Sequence, residues 1–174
     1  SRANADFIRA GKVAGGKPPA GFVAGPPDAE GNPTFIPKLN DEQAKATGFA
    51  NRIQSANTKI DRFENSLLDP ANKVAAGVPL VGNYAVSGGF QQADQAVRDF
   101  INAQLRRESG AVIADSEFDN AYRQYIPQPG DRPEVLRQER EARALAFRNM
   151  RTSSGPGASQ IEAAPSDDVP DWAK

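Results

Sequence analysis

The chain has 174 residues, 39% of them hydrophobic and 25% charged, and its 22 acidic and 21 basic side chains leave a formal charge of −1. Such a composition suits one small water-facing domain with no net pull toward nucleic acid or acidic lipid. Cysteine and histidine are both absent, which excludes disulfides, zinc held by thiolate or imidazole, cysteine nucleophiles and histidine general bases.

Any catalysis is thereby left to carboxylate, lysine, tyrosine or serine side chains, and no cofactor is expected. No apolar run approaches the ~18 residues that span a bilayer. The first residues carry no apolar segment of the kind a secretory signal needs.

Residues 1–10 read as a short helical turn. From Gly11 to Pro37 glycine and proline recur too often for a helix or an interior strand. Residues 1–38 are therefore expected to form a long extended arm. Phe22, Phe35 and Ile36 are its candidate partner-binding anchors. Gly11, Gly16 and Lys17 fall at the spacing of a phosphate-cradling loop, but Pro18 and Pro19 stand where that loop needs a hydroxyl and a starting helix.

A helical module is expected over 39–151. Asn40 and Gln43 have capping-box spacing, and Phe49, Ile53, Ala56, Ile60, Phe63 and Leu67 alternate at three and four, predicting a helix over 40–68 that Pro70 stops. A glycine-broken section follows, anchored by Tyr84 and Phe90. Ala93, Val97, Phe100, Ile101 and Leu105 then predict a helix over 91–108, closed by Gly110.

Ala111, Val112 and Ile113 read as an extended connector packed under two helices, after which Asp115 is expected to cap a helix reaching 126. The acids Asp115, Glu117 and Asp119 fit a helix start better than a calcium loop, which requires glycine at the sixth position, where Asn120 stands. PQPGDRP reads as a stiff turn, with Asp131 capping a last helix to about Met150.

Six arginines against three glutamates lie in 132–151. Arg137, Arg140 and Arg143 are the candidate phosphate contacts, set against a reading in which the helix is merely a salt-bridged solvated face. Glu139 and Arg143 have the spacing of a one-turn ion pair. Residues 152–174 hold four acids against Lys174 and are expected to form an acidic flexible tail, with Trp172 as a further candidate anchor.

Glu108 precedes Ser109 at a predicted helix end, as the acid does in lytic transglycosylases. The cleft-forming segment that follows it in that family is missing here, so pairing or capping explains Glu108 more simply.

The run FINAQLRRESGAVIADSEFDNAYRQYIPQPGDRPEVLRQER, together with LNDEQAKATGFANRI at 39–53, resembles a segment of tailed-bacteriophage virion proteins, of the tail-associated or internal DNA-ejection type. The resemblance spans about residues 39–150. It implies an all-α fold of about four helices in a non-enzymatic structural or accessory component of the virion, at the tail or portal region or internal, assisting assembly or genome ejection. The implied partners are portal, tail or internal virion proteins in several symmetric copies, with DNA contact as a further expectation. No catalytic residue comes with the resemblance. Two competing readings stand beside it: a peptidoglycan-degrading accessory with Glu108 as acid, and a DNA-binding module using the arginine helix.

Overall fold

A computed structural model describes residues 17–77, 85–109 and 112–161, with the side chains of Glu108 and Ser109 outside that description. The described residues form a mostly helical fold with one two-stranded ribbon. The strands are β1 (Phe22–Ala24) and β2 (Phe35–Pro37). The helices are α1 (Asp41–Arg62), α2 (Glu64–Leu68), α3 (Pro70–Ala76), α4 (Gly88–Ser109), α5 (Asp115–Tyr125) and α6 (Pro133–Ser153), followed by a 3-10 helix over Gly155–Gln160.

Residues 17–38 thus differ from the extended arm that the prolines suggest. Asp28, Ala29, Glu30 and Gly31 make a tight turn in which the Gly31 N–H donates to the Asp28 carbonyl at 2.9 Å. The Asp28 carboxylate accepts from the Glu30 and Asn32 amides at 3.1 and 2.7 Å. Gly31 has φ +79°, the conformation a three-residue hairpin loop requires after its turn.

This turn pairs Phe22 with Pro37, Val23 with Ile36 and Ala24 with Phe35, antiparallel. Alternation puts Phe22 and Phe35 on one face and Ile36 with Val23 on the other. Of the prolines that argue against a strand only Pro37 lies in one, on its outer edge, and the others flank the strands. Pro37 brings no N–H to that edge, and on the opposite strand the Phe22 N–H turns back to the Pro19 carbonyl at 3.0 Å.

The Asn40 box closes α1 as expected: the Asn40 carboxamide accepts from the Gln43 N–H at 2.8 Å and the Gln43 side chain accepts from the Asn40 N–H at 3.1 Å. The predicted 40–68 helix is broken at Phe63, which has φ −107° and ψ 19°. The bend sets Phe63 and Ser66 against Gly89, where an added Cβ would lie 2.7 Å from the Ser66 hydroxyl. Without a side chain at Gly89, the start of α4 can approach α2 closely. Pro70 begins a helix as well as ending one, standing at N1 of α3 behind the Asp69 cap.

Asn72 binds these pieces. Its amide donates to the Ser66 carbonyl at 3.1 Å and its carbonyl accepts from the Ser87 N–H at 3.0 Å, so one buried side chain joins α2, α3 and the entry to α4.

The core lies where α4 packs on α1, with α6 closing the other side of α1 and α5 laid across α4 and α6. Ile53, Ile60, Phe100, Ile101 and Ile126 are fully enclosed there. Truncating one of these to alanine costs roughly 2–5 kcal/mol.

Three expectations fail in the second half of the chain. Val112 is 95% exposed and so does not lie beneath the helices, Ile113 is partly buried, and Ala111 lies outside the described residues. Asp115 is the first residue of α5 rather than its cap; Ala114 occupies the cap position and the Glu117 carboxylate accepts its N–H at 3.0 Å. Asp131 closes the preceding turn instead of capping α6: its carboxylate accepts from the Gln128 N–H at 2.6 Å, its N–H donates to the Gln128 carbonyl at 3.1 Å, and Gly130 holds φ +96°. A Pro-Gly centre with that sign of φ is what a type II turn demands.

The first ten residues of the expected tail, 152–161, are ordered against the fold, and the rest of it lies outside the described residues. α6 runs on to Ser153, and the 3-10 helix brings Gly155 beside Gln43 and Gly157 under Thr47 and Leu39. A Cβ at Gly157 would meet the Leu39 Cδ1 at 2.9 Å, so small residues give this contact its closeness. Ile161 then packs against the core. Among the described residues no helix is long and apolar enough to cross a membrane.

Candidate functional site

Helix α6 carries a regular stripe at 136, 139, 143, 146 and 150, alternating at three and four. Leu136, Ala146 and Met150 are ordinary occupants of such a stripe, but Glu139 and Arg143 fill its middle. They are 3% and 1% exposed.

Arg143 donates to the Tyr125 carbonyl at 2.6 Å and to the Asp61 carboxylate at 2.7 Å. One guanidinium therefore caps the end of α5 and ties it to α1, a use of the planar fork that lysine cannot copy. The carboxylate end of this bridge is more than half exposed while the arginine side chain is buried.

Arg140 stands one residue along and holds Glu64 of α2 with two hydrogen bonds, Nε to Oε2 at 2.9 Å and Nη2 to Oε1. That bond, and then the charge of Glu64, raise its already high pKa.

Glu139 lies between the two arginines with Oε2 buried and without a hydrogen-bond partner. Burial pushes its carboxyl from the ordinary 4.5 to about 7; the carboxylates of Asp131 and Glu64 push the same way, against Arg143 and Arg140. The one-turn Glu139–Arg143 ion pair expected from the sequence is not made, because Arg143 reaches Asp61 and Tyr125 instead.

The three candidate phosphate contacts thus separate. Arg137 is exposed to solvent. Arg140 is half exposed and committed to Glu64. Arg143 is buried and bonded within the chain, so in this fold it presents nothing to a phosphate, which corrects its assignment.

Phe22, Phe35 and Ile36 come together on the ribbon, each partly buried, whereas Trp172 lies outside the described residues. Gly11 and Gly16 of the glycine-lysine spacing also lie outside them, and Lys17 is exposed. Among the described residues no group of three or more carboxylates is placed to hold a metal ion.

Two surface hollows lie elsewhere on the fold, and neither is lined by the cluster. One, of about 490 Å³, is lined by Glu42, Lys45, Ala46 and Phe49 of α1 and by Arg106 and Arg107 of α4. It adjoins the helix end that carries Glu108. The other, of about 300 Å³, lies beside Phe90, with the Asp94–Arg98 pair at 2.9 Å on its wall.

Asp61 and Glu64 escaped sequence reasoning, and Asp131 and Glu139 entered it only as a helix cap and as a one-turn ion-pair partner. A signal was present, since reading the charged residues as members of the α6 stripe fills the gap between Leu136 and Ala146. Comparison with protein-family models, curated proteins and solved structures returns no match.

Proposed function

We propose that the chain is a non-enzymatic structural or accessory component of a tailed-phage virion, placed at the tail or portal region or inside the particle, where it assists assembly or genome ejection. What supports this reading is the work done by the stretch in which the chain resembles such proteins. Within Tyr125–Asp131, the Tyr125 carbonyl receives Arg143, Ile126 and Pro127 are buried, and Asp131 locks the turn. A stretch spent on holding helices together fits a structural module.

Its partners on this reading are portal, tail or internal virion proteins in several copies, met through the ribbon side chains Phe22, Phe35 and Ile36. Tracking the chain through purification of intact virions tests the proposal. A fixed copy number per particle is the expected result, and absence from purified particles would overturn it.

The peptidoglycan reading is separated by Glu108→Gln. That change is expected to leave cell-wall lysis untouched, and a loss of lytic activity would move the function to Glu108. The DNA reading narrows to exposed arginines such as Arg137, Arg148 and Arg151. It requires binding that weakens steeply with salt and flattens when these become alanine.

A further inference from the structure

Two acids and two arginines act on Glu139: Arg140 and Arg143 from α6 itself, Asp131 from the preceding turn and Glu64 from α2, while Asp61 at the end of α1 holds Arg143. Both guanidinium groups are already turned toward other partners, Arg140 toward Glu64 and Arg143 toward Asp61 and the Tyr125 carbonyl. Glu139 is left as a buried carboxyl with one unpartnered oxygen and two like-charged neighbours.

A carboxylate in that position pays for lost hydration with no hydrogen bond in return. As a neutral acid it is merely a polar side chain in a packed stripe. Its ionised form has one inexpensive route to a partner. Arg143 stands four residues on, one turn away on the same helix face, and Arg140 lies within electrostatic reach. Turning either guanidinium toward Glu139 strains the bond it makes to α1 or α2.

We propose that Glu139 is a proton-controlled clasp: neutral, it leaves Arg140 and Arg143 to tie α6 to α1 and α2; ionised, it competes for both and loosens the first half of α6. The second half, held by Ala146, Met150 and Ser154, contains no buried acid and stays docked.

The sign follows from where the proton is bound. The folded chain keeps the Glu139 proton up to about pH 7, whereas an unfolded chain releases it near 4.5. Between those values the folded state holds more protons, so stability falls as pH rises and the loss is complete above about 7. Most surface carboxylates that gain partners on folding show the opposite slope.

The test compares the wild-type chain, Glu139→Gln, and Glu141→Gln as an exposed control on the same helix. Denaturant unfolding between pH 5 and 8 should show the wild-type unfolding constant rising with pH by on the order of a hundredfold more than that of Glu139→Gln. Glu141→Gln should follow the wild type. Amide hydrogen exchange, expressed as the ratio of residues 133–143 to residues 146–153, should rise with pH in the wild type and stay flat in Glu139→Gln; the ratio cancels the intrinsic pH dependence of exchange.

If Glu139→Gln keeps the wild-type slope in both measurements, the proposal is wrong. Should that variant fail to fold, a carbon-13 titration of the Glu139 carboxyl in the wild-type chain decides. A midpoint near 7 supports the clasp and one near 4.5 overturns it.

Discussion

The two halves of α6 occupy one stripe, yet they are held by opposite chemistry. From Pro133 to Arg143 the helix docks through a buried guanidinium, a buried carboxyl and a surface-facing pair. From Ala146 to Ser154 it docks through small and apolar side chains, with the Ser154 hydroxyl satisfied by the Met150 carbonyl at 3.0 Å. Apolar burial stabilises without direction, whereas a bonded guanidinium fixes which carbonyl and which carboxylate it meets. The first half sets where α6 sits against α1 and α5; the second half supplies adhesion.

Substitutions along the stripe should expose this division. Arg143→Met should cost the most, about 3 kcal/mol, because the Tyr125 carbonyl loses its charged donor and Glu139 loses its nearest compensating charge. Urea unfolding at pH 7 measures it. Adding Glu139→Leu to Arg143→Met should return most of that loss, since a matched apolar pair replaces a buried ionic site at little net cost. If the double variant is no better than the single one, the ionic half contributes adhesion too, and the division between the halves collapses.

Met150→Ala should cost somewhat less, about 2 kcal/mol, by leaving a cavity and removing the sulfur that accepts from Arg107 Nη1 at 3.1 Å. Its loss should be the same at pH 5.5 and pH 8, in contrast to any change at Glu139. Arg140→Ala should lose no more than about 1 kcal/mol, because the arginine of the Arg140–Glu64 bridge is 49% exposed and screened by solvent. Raising the salt concentration should shrink that small loss further and leave the Met150→Ala loss unchanged.

How much of this was legible varies with the kind of force involved. The helices at α1, α4 and α5 were legible because apolar residues recur at helical spacing and Asn40 with Gln43 is a local, self-contained cap. PQPGD announced its turn for the same reason. The ribbon was hidden because the prolines that argue against a strand flank it, save Pro37, which lies on an outer edge where a missing N–H breaks no pairing. DAEGN, which makes the hairpin loop, was masked by the breakers around it.

The 3-10 segment after α6 was hidden because Gly155 and Gly157 pack by close approach and not by apolar area, so their hydropathy reads as tail. The charged clasp was the hardest to see. Burial of Glu139 and Arg143 depends on Asp61, Glu64 and Tyr125, which are distant in the sequence and carry no pattern that points to α6.

The ribbon edges have one more consequence. Hydrogen bonds from Gly25 to Thr34 and from Lys38 to Gly21 direct residues 22, 24, 35 and 37 outward. Pro37 offers no donor and the Phe22 donor is already used at Pro19, so each strand turns a single remaining N–H outward, that of Ala24 on one edge and Phe35 on the other. A neighbouring chain finds fewer donors there than a regular strand edge offers, so the ribbon keeps Phe22 and Phe35 on one face while discouraging edge-to-edge pairing.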